Sequence, residues 1–327
     1  MDKPRPVPAD EFSRRISTLR GQAAAVVYSF EGSKSFHRIW YDQWRSGVIS
    51  SYGHALEELG LQPYFVEVKD FALQALASNL PNVVCAFNLN AGITPISNWA
   101  LVPSVASWTG IPIFPANADV LIVGERKDTA ALLAKRAGLN IPRTYSPAEL
   151  QVLENDHSLI VKPRDLGGSV GVRRVTASDV RNGRIDIEPT SIVQDFVRGF
   201  DFTIPIVWQP TQGRHRAPAG ILYTPTEEKG EDWFHSELTK QQGEGYKKRV
   251  IPISEDIETE IRRFADLAEL GPYARVDFRW ENNFECTTKS EIRIDREELI
   301  FIEVNPLPTL RSAKQSVSKW RTAGVTE

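Results

Sequence analysis

Residues 158–175 read SLIVKPRDLGGSVGVRRV, and the organisation of the chain follows outward from them. Ser158 to Pro163 is a short β-rich run, Arg164 to Gly171 holds three glycines, and Val172 to Val175 resumes the strand pattern. Strand, glycine loop and strand predict a hairpin with a mobile tip. Lys162 closes the first strand. The backbone of Gly168, Ser169 and Val170 can approach phosphate oxygens closely and offer N–H donors, while the lysine adds a compact cation. A Walker loop places its lysine after the glycines and opens a helix, whereas here the lysine comes first and a strand follows. The same residues also fit an ordinary hairpin whose glycines only supply positive φ, and the run alone does not choose.

Downstream, ARVDFRW (274–280) and FIEVNPLP (301–308) supply the second signal. Strand alternation puts Glu303 and Asn305 on one face, and a neighbouring strand can bring Asp277 beside them. Two carboxylates and a carboxamide form an all-oxygen set suited to Mg²⁺ shared with phosphates. A solvated strand face is the bland alternative, but both acids stand in apolar runs, where an unpartnered buried charge costs several kcal/mol.

Upstream, Ala23 to Phe30, Val48 to Leu59, Tyr64 to Val68, Phe71 to Leu80 and Val83 to Leu89 alternate in character, predicting βαβαβ around a parallel sheet. Trp99 to Thr109 reads as a helix closed by Gly110, Ile111 to Asn117 as a short strand, and Arg126 to Ala137 as a helix ending at Gly138. Ser191 to Phe196 and Phe202 to Trp208 read as strands, 210–249 as loops and short antiparallel strands, Ile257 to Leu270 as a helix, and Tyr273 to Trp280 and Leu299 to Val304 as two more strands. The Pro-rich start, MDKPRPVPADEFSRR, reads as a loose terminus.

The chain has 327 residues, 41% of them hydrophobic and 25% charged, which suits an enzyme of two or three packed units. A net charge of −3 with dispersed Lys and Arg gives no nucleic-acid footprint. Cys85 and Cys286 make neither metal spacing nor a disulfide framework, so a reducing cytoplasm is expected. No run reaches membrane-span length. Small molecules are the expected partners, and a homodimer is an allowed assembly.

In this order, Lys127 in a helix, SLIVKPRDLGGSVGV, SIVQDFVRGFDFT (191–203), ARVDFRW and FIEVNPLP resemble the ATP-grasp superfamily, most closely its D-alanine–D-alanine ligase branch. FNLNAG (87–92) and the stretch from Gly110 to Pro142 are similar to that branch as well. The resemblance implies a mixed α/β and α+β fold: a preATP-grasp Rossmann-like domain over 1–115, a small subdomain with the glycine loop over 116–197, and a large subdomain with the metal site over 198–327. It implies ATP between the last two units and Mg²⁺, for which Mn²⁺ can substitute. Lys127 and Lys162 match the lysines that contact ATP. Asp195, Phe196 and Val197 match the adenine hinge, with Gln194 where that hinge usually starts on glutamate. Asp201 matches the acid on the ribose, Arg275 the arginine that stabilises the transferring phosphate, and Asp277, Glu303 and Asn305 the metal ligands. Lys240, with Lys229 as its rival, is the candidate for the lysine that reaches the γ-phosphate.

Two departures bear on substrate. The Glu-x-Asn is followed by Pro306-Leu307-Pro308-Thr309 and then Arg311 and Lys314, instead of the small-residue acceptor motif, so these two cations are candidates for gripping an anionic acceptor. The amino-terminal glycine-rich motif with its glutamate is replaced by EGSKSFHRIWYDQW (31–44). The implied activity is amide-bond formation between a carboxylic acid and an amine, neither being D-alanine, through an acyl phosphate. A phosphotransferase that stops at phosphate transfer, or a nucleotide-binding regulator without turnover, are the alternatives, and product analysis separates them.

Overall fold

A computed structural model of the chain describes residues 6–29, 46–90, 99–167, 169–227, 233 and 245–308. The expected loose terminus is partly helical: α1 (Ala9–Ser17) has Asp10 and Glu11 in its first turn and Arg14 and Arg15 in its last. That order suits the helix dipole, and Arg14 pairs with Asp10 and Arg15 with Glu11 four residues apart. None of its residues is buried, so local charge pairing accounts for it better than packing.

The predicted βαβαβ is present as β1 (Ala23–Tyr28), α2 (Ser46–Glu58), β2 (Gln62–Glu67), α3 (Val68–Leu76) and β3 (Val83–Leu89), followed by α4 (Leu101–Thr109) and β4 (Ile113–Phe114). The sheet is parallel, in the order β2-β1-β3-β4. Central β1 is apolar on both faces because helices cover both. Ala24 and Val26 pack with Val48, Ile49, Tyr52 and Leu56 of α2, and Ala25 and Val27 with Phe71 of α3 and Val102 and Ala106 of α4.

Beyond β4 the chain forms α5 (Ala118–Glu125), a helix missing from the sequence reading, and then α6 (Lys127–Ala137), which ends as expected with Gly138 at φ 103°. The VLIV core of α5 lacks helical periodicity because the helix is surrounded: Val120 and Leu121 are buried in the same cluster as Ala130 and Ala134 of α6 and Phe301. After α7 (Pro147–Leu150), the predicted hairpin appears as β5 (Ser158–Pro163) and β6 (Arg173–Thr176), antiparallel from Ser158↔Thr176 to Val161↔Arg173. Following α8 (Ala177–Arg181), β7 (Ser191–Asp195) completes a sheet ordered β6-β5-β7, with its own core of Tyr145, Leu150, Leu159, Val161, Val175 and Val193.

The largest sheet is antiparallel and ordered β11-β10-β8-β12-β13, with β9 paired to β8. Its strands are β8 (Phe200–Gln209), β9 (Arg214–Arg216), β10 (Ala219–Pro225), β11 (Tyr246–Pro252), β12 (Tyr273–Trp280) and β13 (Leu299–Asn305). Helix α9 (Glu255–Leu267), capped by Ser254, covers one face through Ile257, Ile261 and Phe264. The connection between β12 and β13, read only as charged, contains the short helix α10 (Phe284–Thr288). Two glycines fix close approaches. A Cβ on Gly199, at φ 110°, would stand 2.0 Å from the Trp280 carbonyl oxygen, and one on Gly271 would stand 1.6 Å from that of Pro115. Gly271 thus lets the start of β12 meet the end of the parallel-sheet unit. Among the described residues no helix is long and apolar enough to cross a membrane.

Candidate active site

The β8, β12 and β13 registers align Thr203, Asp277 and Glu303 in one row, with Pro205, Arg275 and Asn305 in the next. Opposed residues in an antiparallel ladder share a face, which is why two distant motifs meet here. The β12–β13 register shifts after Asp277, so Ile302 on β13 has no opposite number. That irregularity lets consecutive Ile302 and Glu303 both line one cavity.

The cavity measures about 320 Å³ and lies between the small and large sheets. Lys127, Lys162, Leu166 and Ser169 line it from one side, Gln194 and Asp195 from the end of β7, Phe196 and Val197 from the connection to β8, and Asp201, Thr203, Tyr223, Arg275, Asp277 and Glu303 from the other. Asp277 is the hub of its floor. Its carboxylate accepts from Arg275 Nε (3.0 Å) and a terminal nitrogen (2.7 Å), from Thr203 Oγ1 (2.8 Å) and from Asn305 Nδ2 (3.0 Å). Burial works against the Arg275 charge, but the Asp277 carboxylate outweighs it and raises the guanidinium pKa.

The two lysines converge on Glu303. Lys127, 6% exposed, stands 3.6 Å from the Glu303 carboxylate and donates to the Leu166 carbonyl at 2.6 Å. Lys162 is 5% exposed; burial first, and then the charge of Lys127, lower its pKa to about 8, with Glu303 pulling the other way. Two cations crowded against one carboxylate leave an excess of positive charge facing the cavity, a setting for a polyphosphate.

Of the predicted site residues, Lys127, Lys162, Ser169, Asp195, Phe196, Val197, Asp201, Arg275, Asp277 and Glu303 border this one cavity, and Asn305 touches it through Asp277. Val170 is buried and does not line it. The Asp195 carboxylate is already engaged, accepting from Tyr145 Oη at 2.7 Å and standing 2.7 Å from His157 Nε2. Gly168, Lys229, Lys240, Arg311 and Lys314 lie outside the described residues.

Sequence reasoning missed Arg279. This 5%-exposed guanidinium bonds the Asp201 carboxylate (2.7 Å) and the carbonyls of Val197 (3.1 Å), Trp233 (2.9 Å) and Gly199. It therefore holds the connection between the sheets in shape. The signal was present in the alternation Arg275-x-Asp277-x-Arg279, which puts all three on one face. Thr203 and Tyr223 were missed too, since only strand pairing brings them to the cavity.

Among curated proteins no sequence match was found. Solved structures superimpose along nearly the whole chain at 14% identity. The D-alanine–D-alanine ligase of Bacillus anthracis, complexed with ATP, has a TM-score of 0.62 and covers 94% of this chain and 93% of its own. The VanG D-Ala:D-Ser ligase of Enterococcus faecalis has a TM-score of 0.58 and covers 94% and 100%. The ATP-grasp ligase PsnB, complexed with a minimal precursor, has a TM-score of 0.55 and covers 90% and 93%. These similarities carry the fold, which is that of the D-alanine–D-alanine ligase-like branch. The ATP-grasp domain model matches residues 124–310, more than half of the chain and the whole described wall of the cavity, and the chain belongs to the ATP-grasp family.

Proposed function

We propose that the protein is a Mg-ATP-dependent ligase joining a carboxylic acid to an amine through an acyl phosphate, with release of ADP and orthophosphate. The observation that carries this reading is the convergence of Lys127, Lys162, Arg275, Asp277 and Glu303 on one cavity in an ATP-grasp chain. Asp277 and Glu303 are paired across β12 and β13 with Asn305 beside them, a hard-oxygen set that fits Mg²⁺ shared with phosphate oxygens. Asp277, Glu303 and Asn305 would hold the ion, which neutralises charge on the transferring phosphoryl group when bound.

Lys127 and Lys162 would bind the phosphates, Phe196 and Val197 would border the adenine, and Asp201, held by Arg279, would face the ribose. As the substrate carboxylate attacks the γ-phosphorus, Arg275 spreads the charge on the phosphoryl oxygens and later that on the tetrahedral oxyanion. A cleft closed by the glycine loop keeps water from the acyl phosphate. Lys240 as the γ-phosphate lysine and Arg311 and Lys314 as acceptor contacts belong to the same proposal, and the rebuilt stretches around Pro306 and residues 31–44 argue against D-alanine on either side of the bond.

The test is product analysis. Purified protein with Mg-ATP and paired acids and amines should release ADP and orthophosphate in equal amounts with amide, and hydroxylamine should trap the intermediate as a hydroxamate. AMP as the stoichiometric product would sink the mechanism.

A further inference from the structure

One buried polar group on the cavity wall is left over by the chemistry above. Gln194, the fourth residue of β7, is 2% exposed and lines the cavity. It stands opposite Ile160 in the β5–β7 ladder, and an antiparallel bridge sets Thr144 on its other side. Cross-strand partners share a face, and Lys162, two residues along β5 from Ile160, belongs to that face as well. Pro142, Ile160, Phe196 and Val197 give this part of the wall an apolar character suited to a planar base, with Gln194 as the neutral polar side chain among them.

The Gln194 carboxamide is half satisfied. Nε2 donates to Thr144 Oγ1 at 2.9 Å, and Oε1 is buried without a hydrogen-bond partner. Native interiors rarely leave such an atom unpaired, and this residue borders a cavity that a ligand fills. Two backbone donors beside it are spent within the protein: Asp195 N–H donates to the Arg143 carbonyl (3.0 Å) and Phe196 N–H to that of Ser158 (3.0 Å). Both are lost to a base in the cavity, which the Gln194 side chain is placed to read.

Thr144 sets how strictly it reads. A hydroxyl both donates and accepts, and this one has no other hydrogen-bond partner among the described residues. When the carboxamide turns over, Oε1 accepts from the Thr144 O–H and Nε2 takes the free place, so either orientation keeps the bond to Thr144. An ionised carboxylate at this position would only accept. The 6-amino group of adenine is a donor, and the 6-oxo group of guanine or hypoxanthine is an acceptor. We infer that Gln194 reads position 6 of the purine base in both senses, so that the protein binds 6-oxopurine nucleoside triphosphates as well as ATP. This rests on the nucleotide site of the ligase reading above.

The experiment is calorimetric titration of the full chain with the Mg²⁺ complexes of ATP, ITP and purine riboside triphosphate, whose base carries only hydrogen at position 6. It needs neither acid nor amine. The wild type should bind ATP and ITP within about tenfold of each other, and purine riboside triphosphate about tenfold more weakly than ATP, because that base leaves the carboxamide unpaired. Gln194→Glu should keep ATP and weaken ITP about thirtyfold or more, since a carboxylate meets the 6-oxo group with no proton to offer. Gln194→Met fills a similar volume without a hydrogen-bonding end, so it should bind ATP and purine riboside triphosphate within about threefold of each other, and it serves as the test when the glutamate variant does not fold. Wild-type binding of ITP more than about tenfold weaker than that of ATP overturns the inference, because a fixed backbone group then chooses the base. So does purine riboside triphosphate binding as tightly as ATP, an unchanged ITP-to-ATP ratio in folded Gln194→Glu, or an unchanged penalty on purine riboside triphosphate in Gln194→Met. Each of these leaves the ligase reading intact, whereas binding of none of the three nucleotides overturns both.

Discussion

Arg275 and Asp277, two positions apart on β12, form a two-pronged ion pair at 3.0 and 2.7 Å, and the same carboxylate accepts from Thr203 and Asn305. Alternation puts both side chains on one face of β12, and that face is the floor of the nucleotide cavity proposed above.

Asp277→Asn removes the anion from this hub and leaves the guanidinium without its counter-charge, at a cost of roughly 2–3 kcal/mol in stability. Glu303→Gln keeps the Arg275 pair and should melt close to the parent. Both variants should lose ADP release. Calorimetry beside a coupled ADP assay checks the split, and normal rates for both at saturating Mg²⁺ would remove them from the metal set.

Lys162→Met should abolish stabilisation by ATP and raise the ATP KM at least thirtyfold, from the loss of roughly 2–3 kcal/mol of charge-assisted bonding. The nucleotide-free protein should not melt earlier, because a buried ammonium is costly and methionine is not. The sign with pH follows. The folded pKa of about 8 lies below the unfolded value of 10.5, so the unfolded chain binds more protons between the two. Wild-type stability should therefore rise relative to Lys162→Met from pH 8 to 10.5, measured by urea titration without nucleotide. A difference that stays flat across this window would mean the lysine is not held in a desolvated site.

Arg279→Lys keeps the charge but loses the fork that spans Val197, Gly199, Trp233 and Asp201. A stability loss of about 3 kcal/mol is expected. ATP KM should rise more than kcat falls, since the residue shapes the connection and does not reach the phosphates. Unaltered ATP kinetics would reduce Arg279 to a structural tie.

The two free cysteines should differ toward thiol reagents. Burial pushes the Cys85 thiol up to about 11, so at pH 8 about one molecule in a thousand carries the thiolate. Labelling of native protein should stop at one equivalent, on Cys286, with Cys85 reacting only after unfolding. Two equivalents at equal rates would show that the β3 face opens readily.

The sequence by itself determined the elements whose reasons are local. The βαβαβ, the β5–β6 hairpin and β12 follow from alternation and from glycines that end helices, and Gly110 and Gly138 both adopt the left-handed conformation their positions imply. It determined the family as well, because Lys162, Arg275, Asp277, Glu303 and Asn305 keep a fixed order whatever the loops between them do. What it could not decide depends on register and on burial from a distance. Helix α5 is surrounded, so its pattern has no period to read. Pairing of β8 with β12 brings Thr203 under Asp277 across 74 positions of chain, and the shifted β13 register turns Ile302 and Glu303 the same way. The Asp195 carboxylate faces Tyr145 and His157 because β7 sits beside β5, a fact of sheet order that no local pattern contains.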